Sequence, residues 1–369
     1  MGQYLELEAR IRNIIENIKA LEHEIDCAVA CVSGGVDSTL SAVLAKKALG
    51  DKVYPVFIDT GFMRLNEGIK IQEALRELLD IDLYDFSEQF ISRIEGISDA
   101  EEKRIAFRDM FYTSVKMVAE EKRCSWVVQG TIKADVVETV GGIKTQHNVL
   151  NEKLLERYGL RVIEPLIDLY KHEVRALARY IGLPASITER QPFPGPGLLV
   201  RAVGKLTREK LNLVKVVTDI VEDSLKDMGF SQYFPAAWEY DVIERSSIDG
   251  MTYEVYSVKV TGVVEGKRRY GNPVVVNSIP ADTDSVYELY RLFDTQKHPH
   301  ILVKLAEKSS GDYVIAIRAV KTDNFIVAEV PRIDLGVLEA LSRKILAEPK
   351  VRLVAFDVTP KPPATIEYE

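Results

Sequence analysis

Residues 28–39 have the sequence Ala-Val-Ala-Cys-Val-Ser-Gly-Gly-Val-Asp-Ser-Thr, and this stretch decides the fold of the first half of the chain. The apolar run at 28–32 predicts a buried strand that ends in the glycine pair Gly34-Gly35, and a helix-like segment at 38–49 follows at once. Adjacent glycines allow positive φ and close approach of an anion, and the N–H groups of the turn and the helix start converge. The order strand, glycine turn, helix therefore predicts a phosphate or pyrophosphate site.

The pattern between residues 26 and 190 alternates strand-like and helix-like segments. Strands are predicted at 27–32, 53–58, 83–86, 126–128 and 162–166, and helices at 38–49, 67–79, 100–122 and 171–181. This alternation predicts an α/β fold, a parallel sheet with helices on both faces. Ligands of such sheets bind beyond the carboxyl ends of the strands, where segments 33–39, 59–61 and 130–131 all fall.

The segment 191–198, Gln-Pro-Phe-Pro-Gly-Pro-Gly-Leu, predicts an irregular connector, because its prolines suit neither a helix nor a central strand. We place a domain boundary here, which gives domains 1–190 and 191–369. The second half has an α+β pattern, with helices at 207–228 and 335–347 and strands at 254–264, 273–279, 301–305, 313–320 and 351–358. The alternation at 254–264 and 273–279 predicts strands of an antiparallel sheet. The segment 309–312 predicts a hairpin turn between two of these strands.

Composition narrows the class of protein. The chain has 369 residues, 46% of them hydrophobic, and a formal net charge of −8, which argues against general nucleic-acid binding. No apolar run is long enough to span a membrane, so a cytoplasmic protein is expected. The cysteines, Cys27, Cys31 and Cys124, lack the spacing of a metal site. We expect all three to be buried, reduced thiols without a disulfide.

The segment 33–39 resembles the pyrophosphate loop, Ser-Gly-Gly-x-Asp-Ser, of the ATP pyrophosphatases, which cleave ATP between the α- and β-phosphates. Segments 192–198 (Pro-Phe-Pro-Gly-Pro-Gly-Leu) and 361–367 (Lys-Pro-Pro-Ala-Thr-Ile-Glu) resemble signature segments of GMP synthetase. So do residues 129–131 with Asp135 and Glu138, and segment 143–149. From about residue 28 to 369 the chain is similar to the synthetase subunit of a two-subunit GMP synthetase, without the family's glutaminase domain.

The resemblance implies a ligase of purine biosynthesis. In that reaction the 2-oxygen of xanthosine monophosphate (XMP) attacks the α-phosphorus of Mg-ATP, pyrophosphate leaves, and ammonia displaces AMP from adenylyl-XMP to give GMP. It also implies a separate glutaminase subunit that supplies ammonia, and a homodimer formed through the C-terminal domain, which also binds the nucleotide monophosphate.

The family's site residues carry over to matching positions. ATP and pyrophosphate are assigned to Ser33, Gly34, Gly35, Val36, Asp37, Ser38, Thr39, Ile58, Gly130 and Arg108. Catalysis is assigned to Asp37, which also holds Mg²⁺, and to Asp135, Glu138 and Lys144. The monophosphate is assigned to Lys361, Thr365, Ile366 and Glu367.

Plainer interpretations stay open for several of these residues. Asp37 could only cap a helix, Arg108 could form a surface ion pair with Glu101 or Asp109, and Asp135 with Glu138 could be an exposed acidic face. Three other functions also remain open: another adenylating amidotransferase such as NAD synthetase or an argininosuccinate-type ligase, a tRNA-thiolating pyrophosphatase, and a non-catalytic nucleotide-binding assembly subunit.

Overall fold

The computed structural model describes residues 2–133, 135, 158–277, 283–323 and 325–369. The chain divides into two compact units. The first comprises residues 1–93 and 106–195, and the second comprises residues 94–105 and 196–369. Within the described residues, no helix is long and apolar enough to cross a membrane.

The first unit contains a five-stranded parallel sheet in the order β3-β2-β1-β4-β5. The strands are β1 (Ala28–Cys31), β2 (Val53–Asp59), β3 (Asp82–Asp85), β4 (Trp126–Val128) and β5 (Arg161–Ile163). Helices of the chain up to residue 195 are α1 (Gly2–Ala20), α2 (Val36–Leu49), α3 (Glu67–Leu75), α4 (Ser87–Ile94), α5 (Ala100–Lys122), α6 (Lys171–Ile181) and α7 (Ala185–Thr188). The parallel α/β sheet predicted from the sequence is confirmed.

Strand β1 is buried on both faces, as a central parallel strand requires. Ala28 and Ala30 belong to a core shared with α1, α2 and α6, while Val29 between them is equally inaccessible. In register, Ala30 lies opposite Val128 of β4. The carboxyl ends of β1, β2 and β4 therefore lie at the same edge of the sheet, where the glycine loop begins.

The expectation of three reduced cysteines is wrong. Cys27 and Cys124 form a disulfide across a sequence separation of 97 residues, and Cys31 is a free cysteine. The cause is the strand register: Cys27 precedes β1 and Cys124 precedes β4, and the two strands pair side by side from Ala28 opposite Trp126. The parallel pairing brings the two Cα atoms to 4.8 Å, a proximity that the sequence spacing did not indicate.

The second unit contains a seven-stranded mixed sheet in the order β6-β13-β14-β12-β11-β8-β7, and a separate hairpin of β9 and β10. Its strands are β6 (Gln232–Glu239), β7 (Val242–Ile248), β8 (Met251–Tyr256), β9 (Val260–Val264), β10 (Lys267–Gly271), β11 (Val274–Val276), β12 (Ile301–Glu307), β13 (Tyr313–Val320) and β14 (Val351–Asp357). The helices α8 (Arg208–Leu225), α9 (Thr283–Val286) and α10 (Leu335–Leu346) complete the α+β pattern.

Three predictions for this unit differ from the structure. The predicted strand 254–264 is divided between β8 and β9, which belong to different sheets. The sheet is not purely antiparallel, because β13 runs parallel to β14 and β11 parallel to β12. The segment 309–312 does not close a hairpin: β14 lies between β12 and β13 and pairs with both.

Candidate active site

The glycine loop joins β1 to α2 and is held by serine hydroxyls. The Ser33 and Ser38 Oγ atoms are 2.9 Å apart, and Ser33 N–H donates to Ser38 Oγ at 3.2 Å. Ser38 Oγ also donates to the Gly35 carbonyl at 3.1 Å. Gly35 is the N-cap of α2 and supplies no side-chain acceptor. The start of α2 thus has an exposed turn and backbone N–H groups without a side-chain cap, an arrangement suited to an anion.

Two glycines of the site are required by close approach. Gly34 has φ +78°, and a Cβ there would lie 2.4 Å from Ile71 Cδ1 and 2.8 Å from Arg190 Nη1. A Cβ on Gly130 would lie 2.6 Å from the Ser38 backbone nitrogen and 2.8 Å from the Asp37 carbonyl carbon. The end of β4 therefore packs directly on the first turn of α2. At both positions a side chain larger than that of glycine would clash with its neighbours.

Asp37 lies in the first turn of α2 and does not cap the helix, since Gly35 occupies that position. Its Oδ2 atom is 2.5 Å from Lys171 Nζ, and its Oδ1 atom is buried without a hydrogen-bond partner among the described residues. Sequence reasoning missed Lys171. The lysine opens α6, whose start is fixed by the Tyr170 N–H donating to Glu173 Oε2 at 2.7 Å.

The remaining loop residues are more enclosed. Val36 and Ile58 are buried, and Thr39 is fully buried with a hydroxyl that has no hydrogen-bond partner among the described residues. Ile58 lies at the end of β2, where Gly61 N–H donates to Asp59 Oδ1 at 2.7 Å and shapes the turn after the strand. The hydroxyl donors accessible in the loop are thus those of Ser33 and Ser38, while Thr39 belongs to the core face of α2.

A charged cluster of Arg64, Glu67 and Arg190 borders the loop on the α3 side. The Arg64 guanidinium is buried, stacks 4.1 Å above the Phe193 ring, and has Nη1 3.7 Å from Glu67 Oε1. Arg190 Nη2 contacts the same Glu67 oxygen at 2.5 Å. Arg190 directly precedes the proline segment, so this segment is anchored beside the loop by two arginines and one buried carboxylate.

Two predicted charged residues have local partners. The Arg108 Nε and Nη2 atoms both donate to Asp109 Oδ1, at 3.2 and 3.1 Å, in a partly exposed pair. This is the surface ion pair left open by the sequence. Asp135 Oδ2 accepts from Ile132 N–H at 3.1 Å. Glu138 and Lys144 lie outside the described residues.

In the second unit, Arg104 has an unusual environment. Its side chain is 7% exposed, and its Nε and Nη1 atoms are buried without a hydrogen-bond partner among the described residues. Glu101 Oε2 lies 3.6 Å from Nη1. A buried guanidinium with two unsatisfied nitrogens costs stability unless an anion completes its hydrogen bonds.

The C-terminal segment 361–367 is ordered by side-chain contacts. Lys361 Nζ donates to the Phe325 carbonyl at 2.5 Å, and the Thr365 and Thr261 hydroxyls are 2.6 Å apart. Glu367 accepts two hydrogen bonds from Arg201, at 2.9 and 3.1 Å. Gln232 Nε2 donates to the same carboxylate at 2.9 Å. These contacts hold the segment 361–367 in place.

A buried polar network holds the C-terminal segment 361–367 in place. Arg318 donates to the carbonyls of residues 359, 365 and 366, and its Nη1 lies 2.8 Å from Asp357 Oδ2. His300 Nδ1 and the Tyr368 hydroxyl contact the same carboxylate oxygen at 2.6 and 2.7 Å. Burial alone raises the pKa of Asp357, but Arg318 and His300 outweigh it and hold that pKa well below its usual range. Because Arg318 Nε donates to the Ile366 carbonyl, this network fixes the backbone of Ile366.

The last residue is anchored separately. The Glu369 carboxylate forms a fully buried ion pair with Lys103 and accepts from Gly204 N–H at 2.7 Å. Burial raises the pKa of Glu369, and Lys103 opposes that shift. The last residue is thus joined to α5 and to the loop that contains Gly204.

The parallel sheet, with a glycine-serine loop at the carboxyl end of β1 and an uncapped helix start behind it, defines an ATP pyrophosphatase of the PP-loop class. Two family models match the chain. The model described as Thiamine biosynthesis protein (ThiI) matches residues 25–192, and the one described as GMP synthase C terminal domain matches residues 302–368.

Relatives that cover nearly the whole chain specify the family. The B subunit of GMP synthase [glutamine-hydrolyzing] from Sulfurisphaera tokodaii is 48% identical over 93% of this chain and 94% of the relative. The protein of the same description in Saccharolobus solfataricus is 46% identical over 99% and 98%, and that of Archaeoglobus fulgidus is 37% identical over 99% and 100%. A solved structure, NH3-dependent NAD synthetase from Campylobacter jejuni, is 21% identical over 50% of this chain and 76% of that chain, with a TM-score of 0.38. The chain belongs to the family of the B subunits of GMP synthase [glutamine-hydrolyzing].

Proposed function

We propose that this chain catalyses the ATP-dependent amination of XMP to GMP, releasing AMP and pyrophosphate. The observation that carries the proposal is the Ser33–Ser38 loop at the end of β1, whose two hydroxyls lie next to the start of α2, which has no side-chain cap. Negative charge develops on the leaving pyrophosphate, and preorganised donors aimed at that charge stabilise the transition state. The family membership of the chain supports the same reaction.

The reaction has two steps. The 2-oxygen of XMP forms a bond to the α-phosphorus of ATP while the bond from that phosphorus to the bridging oxygen breaks, and pyrophosphate leaves with the electron pair. Ammonia then attacks C2, AMP departs with the oxygen, and one proton is released. Ser33, Ser38 and the backbone of Gly34 and Gly35 would bind the pyrophosphate, and Ile58 would line the adenosine pocket.

Asp37 would hold Mg²⁺. Its Oδ1 atom is buried without a hydrogen-bond partner among the described residues, and a carboxylate oxygen is the type of ligand that Mg²⁺ prefers. The ion supplies charge neutralisation for the phosphates. Lys171, which contacts the other carboxylate oxygen, would keep Asp37 oriented and neutralised before nucleotide binds.

The XMP monophosphate would bind in the C-terminal domain, 191–369. Lys361, Thr365, Ile366 and Glu367 would contact it. The buried guanidinium of Arg104, which belongs to the second compact unit although it precedes residue 191, would be an additional anion ligand. For the remaining residues we propose the roles that the resemblance implies. Arg108 would contact ATP, and orientation or catalysis would fall to Asp135, Glu138 and Lys144. We further propose that the domain mediates a homodimer, that a separate glutaminase subunit supplies ammonia, and that the enzyme works in the cytoplasm.

The test is pyrophosphate release from Mg-ATP and ammonium chloride by the purified chain, with and without XMP. We expect release that depends on XMP, with GMP and AMP formed in equal amounts and no glutaminase present. Bound ATP without XMP-dependent release would refute the proposal and would favour the non-catalytic nucleotide-binding alternative. Release that depends on another acceptor would favour a different adenylating enzyme.

A further inference from the structure

We propose that Arg190 is a pyrophosphate-binding residue of the loop site. The inference rests on the proposed function, because it assigns a further cation to the same leaving group. Nothing in the pattern of residues 189–191 indicated this role, since one arginine before a proline segment is usually a solvated charge. The contacts of Arg190 with Gly34 and Glu67 point to it.

The first observation is the direct packing of Arg190 on the loop. Its Nη1 atom lies 2.8 Å from the position that a Cβ of Gly34 would occupy. The guanidinium therefore lies, together with the Ile71 side chain, beside the backbone turn that carries the loop's N–H groups. Gly34 has φ +78°, so the loop changes direction at the residue the arginine contacts.

The second observation is the way Arg190 is held. Nη2 contacts Glu67 Oε1 at 2.5 Å, and the Glu67 side chain is 2% exposed. A guanidinium is a planar fork, so fixing one nitrogen on a buried carboxylate also fixes the direction of the others. Arg190 itself is 21% exposed, whereas Arg64 on the same carboxylate is 5% exposed and covered by Phe193. Arg190 is the arginine of this pair that a ligand could reach.

The third observation is the charge balance around the loop. Asp37 pairs with Lys171, and Glu67 pairs with both Arg64 and Arg190. Together these five described side chains carry a net charge of +1 beside the loop from which a highly charged anion would leave. Charge-assisted bonds to phosphate from a planar guanidinium are among the stronger hydrogen bonds in proteins. We therefore expect Arg190 to contribute to the retention of pyrophosphate and of the β- and γ-phosphates of ATP.

A purely structural role makes a different prediction. If Arg190 only joined the proline segment to α3 through Glu67, its replacement would lower stability and leave anion affinity unchanged in the folded fraction. The two roles are separable because stability and pyrophosphate affinity can be measured independently, and pyrophosphate binding needs neither XMP nor ammonia.

The experiment is calorimetric titration of the whole chain with inorganic pyrophosphate and Mg²⁺, for Arg190→Gln and Arg190→Lys, alongside thermal melting. Loss of a charge-assisted bond weakens binding by about tenfold to a hundredfold, so we expect this for Arg190→Gln and a partial loss for Arg190→Lys. Affinity for AMP, which lacks the β- and γ-phosphates, should change much less. Arg179→Gln is the matched control, because Arg179 forms an exposed 2.8 Å pair with Glu189, next to Arg190 in sequence.

Wild-type affinity for pyrophosphate in folded Arg190→Lys protein, or an equal loss for AMP and pyrophosphate, would overturn the inference. Should Arg190→Gln not fold, the lysine variant decides. Failure of the proposed function is a separate result: wild-type protein that binds pyrophosphate but does not aminate XMP would leave the Arg190 measurement interpretable. Wild-type protein that binds no pyrophosphate would refute the inference as well.

Discussion

Replacing Gly35 by Ala should abolish anion binding at the loop without destabilising the protein. Gly35 has φ −76° and ψ 148°, a conformation that alanine adopts freely. A Cβ there would have only the Ser33 and Ser38 Oγ atoms within 4 Å, at 3.5 and 3.9 Å. The added methyl group therefore projects into the open space beside the two hydroxyls, which is where a phosphate would bind.

The structure gives a magnitude for each effect. Displacing a phosphate from two charge-assisted donors costs about 3 kcal/mol or more, which corresponds to a loss of affinity of more than a hundredfold. A compatible Gly-to-Ala change stabilises a protein by about 0.4–1 kcal/mol, because the unfolded chain loses freedom. Gly35 is also the N-cap of α2, where glycine is preferred to alanine, and this opposes the gain. The melting temperature of Gly35→Ala should thus stay close to that of the wild type while binding is lost.

The assay is thermal melting with and without pyrophosphate and Mg²⁺, with Gly34→Ala as the comparison. At Gly34 the positive φ and the 2.4 Å approach to Ile71 predict backbone strain and overpacking, with a loss of about 1–3 kcal/mol. Gly35→Ala protein that is stabilised by pyrophosphate as much as the wild type would refute the assignment of this loop as the anion site. A large fall in its melting temperature would refute the packing argument.

Other predictions concern stability. Asp357→Asn leaves the buried Arg318 without its carboxylate, so we expect a loss of about 3–5 kcal/mol in urea unfolding, against no measurable loss for the exposed Asp223→Asn. Because the folded state lowers the pKa of Asp357 from its usual 3.8, its contribution is complete above about pH 5 and lost on acidification. The urea midpoint should therefore fall between about pH 5 and 3 in the wild type, and less steeply in the asparagine variant. Reducing the Cys27–Cys124 bond should lower stability by about 2–4 kcal/mol, and Cys124→Ser without reductant should melt like the reduced wild type.

The sequence predicted the strand, glycine turn and helix of the loop because this information is local. The strand, the glycine pair and the helix are consecutive, and the parallel sheet follows from alternating elements. Lys171 and Arg190 could not be found in this way. They lie 134 and 156 positions beyond Asp37 and Gly34, and only the order β3-β2-β1-β4-β5 and the packing of α3 and α6 bring them to the loop.

The second unit was harder to predict for the same reason. The alternating pattern located β12, β13 and β14, but strand neighbours in a mixed sheet depend on side-chain packing between distant segments. The sequence of segment 309–312 does not indicate that β14 lies between β12 and β13, because its polar residues suit any loop. The Cys27–Cys124 disulfide is a further example, since the strand register and not the cysteine spacing determines it.

Unsatisfied polar groups distinguish binding surfaces from supporting structure within each unit. In the first unit, the Asp37 Oδ1 atom and the uncapped start of α2 lack protein partners among the described residues. In the second, Asp357 has Arg318, His300 and Tyr368 around it and serves to hold the tail. Buried polar atoms without partners destabilise a fold, so they persist where a ligand completes them. By that criterion we expect ligands at the loop of the first unit and at Arg104 of the second, whereas the Asp357 network supports the C-terminal segment.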